Sequence, residues 1–123
     1  MNNKGQSLVT FVLVIPILFL IFMMIYDVGS MVLLKKELND INYIAVDYGI
    51  GHLNDEDVIV KTEELIKKNK DDINNISVTI EEDKIYVMLE DSIDTKISFG
   101  NIFKVKSSYV GYLDNDKKII EGN

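Results

Sequence analysis

An almost unbroken apolar segment, residues 8–26, most constrains how this chain can fold. Seventeen of its 19 residues are apolar, and only Thr10 and Pro16 interrupt the run. A helix of this length would be roughly 28 Å long, which matches the hydrocarbon thickness of a bilayer. Fourteen of the 19 are Leu, Ile, Val or Phe, and their summed contribution of about −4 to −8 kcal/mol favours insertion. The sequence therefore predicts a transmembrane helix over residues 6–27, with the lipid bilayer as a partner.

Pro16 lies near the middle of this segment. Its ring removes the backbone hydrogen bond to the carbonyl of Val12, which predicts a kink or a local loosening of the helix. Membrane helices tolerate such a break where neighbouring groups satisfy the freed carbonyl.

A cleavable secretory signal is the alternative interpretation of the same segment. Residues 1–4 are a short positive leader, and Val28 and Ser30 are small residues that could precede a cut. Three features favour the membrane helix instead. The apolar run exceeds the usual signal length, Asp27 lies beside the supposed cleavage site, and the helical pattern continues past it.

An amphipathic continuation of the helix is predicted over residues 28–50. One apolar stripe has spacings of four, three, four and three: Leu34, Leu38, Ile41, Ala45 and Tyr48. Gly49 and Gly51 are the first credible stop. Residues 6–50 would then form about 68 Å of rod, of which only the first half is needed in lipid. A coiled-coil stalk is the alternative, although fewer than three heptads are present.

The rest of the chain predicts a small head over residues 52–113. Carboxylates at 55–57 lie at the start of a predicted second helix, and Lys67, Lys68 and Lys70 lie at its end, so each charge is opposite in sign to the helix dipole there. Residues 76–81 alternate strictly and residues 85–89 are strand-like after an acidic turn, which predicts a hairpin. Residues 103–109 are predicted as a third strand after a loop containing Gly100. The amphipathic helix supplies the cover that three strands need. The expected fold is α+β, with a three-stranded antiparallel sheet and a frayed tail at 114–123.

The charge distribution restricts the partners of the head. All 20 acidic residues and 12 of the 13 lysines follow Tyr26, and the net charge is −7. Nucleic-acid binding requires clustered cations that displace counterions from phosphates, whereas these lysines are scattered among more numerous carboxylates. We therefore expect no nucleic-acid partner. The chain also has no cysteine, and so it has no disulfide framework and no thiol nucleophile.

Acidic clusters and a single histidine are the candidates for chemistry. A calcium-loop pattern can be started at Asp114, but Lys118 and Ile119 occupy the positions of a ligand and of the glycine. His52 lies beside Gly51 without a second histidine to share a metal or a base role. The sequence therefore predicts no catalytic residue, no cofactor and no metal site, and hence no enzyme.

The first fifty residues resemble a known family. A polar leader ending in Gly5 precedes Val9-Thr10-Phe11, aliphatic residues and Pro16, and Asp27-Val28-Gly29 follows at the membrane exit. This order is similar to that of the TadE-like family of tight-adherence pilus assembly proteins. The resemblance covers roughly residues 4–50, and it implies a pilin-like fold.

The resemblance implies a minor pilin or pseudopilin that helps to build an adhesive pilus or a related secretion machine. Cleavage by a prepilin peptidase would fall between Gly5 and Gln6. Packing against other pilin-like subunits would involve five positions of the helix: Thr10, Phe11, Pro16, Asp27 and Gly29. Thr10 stands where pilins usually have glutamate, so this chain lacks the carboxylate that offsets a neighbouring amine.

The implied location is a bacterial cytoplasmic membrane, with the amino terminus in the cytoplasm and the acidic head outside. Lys4 and the free amine favour this orientation, whereas Lys35 and Lys36 oppose it. Two other interpretations stay open. The chain could be a single-pass anchored protein whose head is an independent binding module, or a pseudopilin of a DNA-uptake machine, which the acidic head disfavours.

Overall fold

A computed structural model describes residues 3–95 and 102–122 of the chain. Two helices precede four strands, in the order α1 (Asn3–Gly51), α2 (Val58–Asn69), β1 (Asn75–Glu81), β2 (Lys84–Asp94), β3 (Ile102–Asp114) and β4 (Lys117–Gly122). The α+β class, the long apolar first helix and the second helix are confirmed. The sheet has four strands, so the prediction of three is wrong. The expected loop with Gly100 lies outside the described residues.

Helix α1 is one continuous element of 49 residues, about 74 Å long. It passes through Pro16 without ending. Gly49 was expected to take part in the stop, but it lies inside the helix and is buried. The helix ends at Gly51, where the backbone N–H of His52 donates to the Gly49 carbonyl at 3.1 Å.

The second half of α1 is the main core element of the head. The apolar stripe is confirmed at Leu34, Leu38, Ile41 and Ala45, which are all buried. Tyr48 is only half-buried, and its ring stacks on His52 with centroids 4.1 Å apart. Val46 and Ile50 complete the buried face. These side chains lie against the sheet, as the amphipathic pattern requires.

The sheet is an antiparallel meander in the order β1-β2-β3-β4. The predicted hairpin is confirmed, with Val78 opposite Val87 in the β1–β2 register. Along β2 burial alternates, and Ile85, Val87 and Leu89 form part of the core with α1. The strand alternation therefore places every second β2 side chain under the helix.

Strand β4 forms within the segment that was expected to fray. Lys117–Gly122 pairs with β3, with Tyr112 opposite Ile119. A two-residue turn at Asn115 and Asp116 connects the strands, with φ of 51° and 66°. Positive φ at both positions is the requirement of a type I′ hairpin turn, whose twist matches that of the strands. The frayed tail is therefore a wrong prediction for residues 117–122.

Helix α2 closes the end of the core between α1 and β1. Val58, Thr62 and Ile66 are buried, and their spacing of four residues places them on one face of the helix. The acids at 55–57 lie before the helix rather than within its first turn. Asp57 makes no capping hydrogen bond and instead forms an ion pair with Lys61 at 3.3 Å.

Two glycines lie at the contact between helix and sheet. A Cβ built on Gly111 of β3 would lie 2.2 Å from Val46 Cγ1, and one on Gly49 would lie 2.2 Å from Ile85 Cδ1. Ile85 and Gly111 are register partners in β2 and β3. At Gly111 the close approach of the helix requires the absence of a side chain, because atoms of both Val46 and Ile50 lie within 3 Å of the added Cβ. At Gly49 the neighbour is the terminal methyl group of Ile85, which can rotate away.

Candidate functional site

The first half of α1 exposes apolar side chains on all its sides. From Leu8 to Tyr26 its large apolar side chains expose 40 to 65% of their surface, apart from the half-buried Ile15. Within the described residues, α1 is long and apolar enough to cross a membrane. A contiguous exposed apolar surface of this size is uncommon on soluble monomeric proteins. It is therefore the leading candidate for a functional surface.

The predicted processing residues lie in the first turns of α1. Gly5 and Gln6 are exposed, and no heavy atom lies within 4 Å of a Cβ built on Gly5. Packing within the chain therefore does not require a glycine at this position. Gln6 and Thr10 are four residues apart, so they share one face of the helix. Thr10 and Phe11 are both exposed.

The remaining predicted packing residues lie further along the same helix. Pro16 is exposed, and a Cβ on Gly29 would have no neighbour within 4 Å. Asp27 differs, because only 6% of its surface is exposed. It is the first buried residue of α1 and marks where the helix begins to be covered. The structure thus places the predicted residues along one helix, where Gln6, Thr10 and Phe11 line one open depression and the others lie further along.

A buried polar joint between helix and sheet was missed from the sequence. The fully buried Asn42 amide donates to the carbonyls of Val87 and Ser107, each at 3.1 Å, and to Ser107 Oγ at 3.2 Å. Ser107 Oγ in turn donates to Asn39 Oδ1 at 2.7 Å. One asparagine therefore connects α1 to both central strands. Asn42 lies four residues after Leu38 and four before Val46, so it is on the apolar face of α1. A polar residue at that position was the one sequence feature that could have indicated a buried hydrogen-bonded group.

Two buried oxygens lack a partner among the described residues: Asn42 Oδ1 and Thr62 Oγ1. Buried polar atoms without partners are uncommon in native proteins. For Asn42, the three donated bonds hold the amide nitrogen toward the sheet. The oxygen is therefore directed away from those acceptors.

Lysines attach the outer parts of the sheet to α1. Lys118 of β4 forms an ion pair with Asp47 at 3.2 Å. Lys35 Nζ donates to the backbone carbonyl of Lys106 on β3. Surface pairs of this kind contribute little stability. The Lys35 contact at Lys106 and the approach of Gly111 to Val46 show that β3 runs along α1 away from the apolar half.

The carboxylates are dispersed among turns and ion pairs. Lys70 lies 3.0 Å from Asp72 and 3.8 Å from the buried Asp91. The hydrogen bond to Asp72 raises the pKa of Lys70, and the same bond lowers the pKa of Asp72. Across residues 3–95 and 102–122, no three His, Asp or Glu side chains lie together as a metal site would require. His52 Nδ1 lies 2.8 Å from the Tyr48 carbonyl.

Comparison of the chain with protein-family models, with curated proteins and with solved structures found no match. The fold therefore has to be interpreted from its own geometry. That geometry defines a class: a small α+β head built on the second half of a helix whose first half is long and apolar enough to span a membrane.

Proposed function

We propose that the chain is a TadE-like minor pilin or pseudopilin, a membrane-anchored structural subunit in the assembly of an adhesive pilus or a related secretion machine. The observation that carries this proposal is the division of α1. Residues 8–26 expose apolar side chains on every side, whereas the core residues from Leu34 to Ile50 are part of the head. A subunit of this shape can be stored in a membrane and can present its head outside it.

The proposed location is a bacterial cytoplasmic membrane, with the amino terminus in the cytoplasm and the head outside. Lys4 is the only charged residue before Asp27, and positive residues near a membrane helix favour the cytoplasmic side. Lys35 and Lys36 act in the opposite sense. The proposed orientation therefore depends on Lys4 and on the resemblance of residues 4–50 to the TadE-like family.

Assembly would replace lipid around α1 by the helices of other pilin-like subunits. Helices in lipid associate through packing and hydrogen bonds rather than through the hydrophobic effect. Phe11 supplies an exposed aromatic surface, and Gly29 and Thr10 allow close approach of another backbone. Because Thr10 carries no charge, it would hydrogen-bond within its own helix or to a neighbour, without an ion pair.

The proposal is tested by the mass of the chain extracted from membranes of cells that contain a matching prepilin peptidase. We expect a product that begins at Gln6, and the chain should co-purify with a pilus or secretion complex. Gly5→Leu should abolish the processing. Gly29→Leu is the matched control for cleavage alone, because Gly29 is also exposed on α1 with no neighbour within 4 Å; this variant should still be processed to begin at Gln6. An intact amino terminus together with absence from any such complex would refute the assignment.

The alternative is an anchored protein whose head binds a partner independently of assembly. The core favours the pilin-like interpretation, because Leu38, Val46 and Ile50 of α1 are buried within it. The two proposals differ in whether function requires other helices around residues 8–26. Substitutions confined to that segment should abolish incorporation into a complex under the first proposal and leave binding by the head unchanged under the second.

A further inference from the structure

The exposed apolar surface of α1 extends beyond the length that a membrane requires. Val28, Val32 and Leu33 expose 57, 61 and 68% of their surface. From Leu8 to Leu33 the helix rises about 39 Å, whereas the hydrocarbon core is about 30 Å thick. Roughly 9 Å of apolar helix therefore lies beyond the hydrocarbon, at the level of the lipid headgroups.

The first residues of β3 lie at this same level. Lys106 is bonded to Lys35, and Gly111 faces Val46, so β3 runs in the same direction as α1. Phe103 is three residues before Lys106, or about 10 Å nearer the apolar half. That distance corresponds to about seven helical residues below Lys35, which is the level of Val28.

The start of β3 exposes apolar side chains there. Ile102 and Phe103 expose 61 and 42% of their surface. By strand alternation, Phe103 is on the face of β3 that Ser107 and Gly111 turn toward α1, so it extends the exposed apolar surface of the helix. Ile102 is on the opposite face and exposes a second apolar side chain at the same end of the strand. Asp94, the register partner of Ile102, brings one exposed carboxylate to this end.

A groove with positive charge lies directly above these residues. It runs between α1 and the edge of β3, since β4 pairs with β3 only from Tyr109 onward. Its apolar walls include Met31, Val32 and Val105. Every charged side chain that lines it among the described residues is a lysine: Lys35, Lys104 and Lys106. This is notable in a chain with a net charge of −7.

These lysines are only weakly neutralised. Lys104 Nζ is 3.9 Å from Glu90 Oε1, with 75% of the lysine side chain exposed. Lys35 Nζ is bonded to a backbone carbonyl, which carries no full charge. Lys106 has no ion-pair partner among the described residues. The groove therefore keeps a positive potential close to the proposed membrane surface.

We propose that the base of the head is a lipid-binding surface. Its apolar part, Val28, Val32, Ile102 and Phe103, lies in the interfacial region, and Lys104 and Lys106 bind the phosphates of anionic phospholipids. The occupant is the leaflet through which α1 leaves the bilayer, because this surface is continuous with the apolar half of α1 and is positively charged. The inference rests on the membrane anchoring in the proposed function, but not on pilus assembly.

The absence of cysteine allows a direct test, because a single introduced cysteine can carry a fluorescent probe. Ile102→Cys and Leu113→Cys place an environment-sensitive dye at the two ends of β3, at positions of comparable exposure, 61 and 48%. The labelled full-length chain is reconstituted into phosphatidylcholine vesicles, with or without phosphatidylglycerol. We expect the dye at position 102 to emit at shorter wavelength, with a several-fold lower quenching constant for acrylamide than the dye at position 113.

The lysines are tested in the same vesicles. Phosphatidylglycerol should increase the protection at position 102, and Lys104→Gln with Lys106→Gln should remove this increase. Lys67→Gln with Lys68→Gln, on the exposed last turn of α2, is the matched control and should retain it.

Each contrary result has a distinct meaning. Equal quenching at positions 102 and 113, in vesicles that still float with the protein, overturns the lipid-binding surface and leaves anchoring intact. Failure of the chain to float with the vesicles overturns anchoring as well. Protection that depends on protein density instead of lipid composition overturns the inference in favour of a contact between copies of the chain.

Discussion

At the scale of single residues, the buried amide of Asn42 connects α1 to both central strands of the sheet. The apolar stripe could be predicted because Leu34, Leu38, Ile41 and Ala45 recur at helical spacing. An asparagine on the same face gives no indication of its partners, because those partners are the backbone and side chain of strands 45 and 65 residues away. Such a joint fixes the register between helix and sheet, since a polar group buried elsewhere would lose its bonds.

Asn42→Asp should destabilise the head by about 3 kcal/mol or more at pH 7, because it places a carboxylate against two carbonyl oxygens without a donor. Burial raises the pKa of the introduced carboxyl. The loss of stability should therefore shrink as the pH falls and the carboxyl becomes protonated. Denaturant unfolding of the two chains between pH 5 and 8 measures the difference.

Asn39→Asp is the matched control for that substitution. Asn39 accepts its bond from Ser107 Oγ and is only half-buried, so a carboxylate can take over the same role. We expect a change within about 1 kcal/mol and little dependence on pH. Equal losses in the two variants would contradict the role assigned to the Asn42 amide.

At the scale of secondary-structure elements, those with a regular apolar pattern could be predicted from the sequence, whereas strand β4 could not. Residues 76–81 alternate strictly and residues 85–89 are strand-like after an acidic turn, and the hairpin follows from that pattern. In β4 the two isoleucines, Ile119 and Ile120, are adjacent, so no alternation is visible. Its turn, Asn115–Asp116, lacks the glycine that usually signals a type I′ hairpin. Residues 117–122 form a strand because they pair with β3, and such pairing cannot be deduced from local sequence.

Gly111→Ala should destabilise the head by about 1 to 3 kcal/mol, because the new methyl group overlaps Val46 and Ile50 and forces the helix from the sheet. Adding Val46→Ala should recover part of this loss, and a double-mutant cycle measures the coupling. Gly122→Ala on β4 is the control, since its nearest neighbour is 4.0 Å away. Additive effects of the two core substitutions would contradict the close approach.

Asp116→Gly should stabilise the head by about 0.5 to 1 kcal/mol, since φ is 66° at this position and glycine adopts such values without strain. The measurement is the shift in the denaturant midpoint. Asp114→Gly, two residues earlier in the extended end of β3, should instead lower stability. Stabilisation by both glycines, or by neither, would contradict the turn assignment.

At the scale of the whole molecule, the two halves of α1 differ in what surrounds them within the described residues. Its first half has no partner within the described head, and its second half supplies Leu38, Ala45 and Val46 to the core. The division could be predicted from the sequence, because the composition changes at Asp27 while the helical pattern continues. The burial of Asp27 could not be predicted from the sequence, because it depends on how the folded head lies against the helix.

A fragment of residues 52–122 should therefore fail to fold, because removal of α1 exposes Ile85, Val87 and Leu89 to water. A fragment of residues 28–122 keeps the buried half of α1 and should unfold cooperatively. Circular dichroism and amide spectra of the two fragments test this. A cooperatively folded, monomeric 52–122 fragment would contradict the role of α1 in the core and would favour an independent binding head.

The central claim is that one unbroken helix lies in lipid over its first half and forms the core of the head over its second half. A scan of single spin-labelled cysteines along residues 8–50 of the full chain in bilayers tests it most directly, with oxygen and a water-soluble nickel complex as collision partners. The account predicts lipid exposure at every position from 8 to 26, and beyond Leu34 an alternation with the 3.6-residue period of a helix. Exposure to water on all sides of the helix between Asp27 and Leu34, or a mature amino terminus near Ser30, would contradict it.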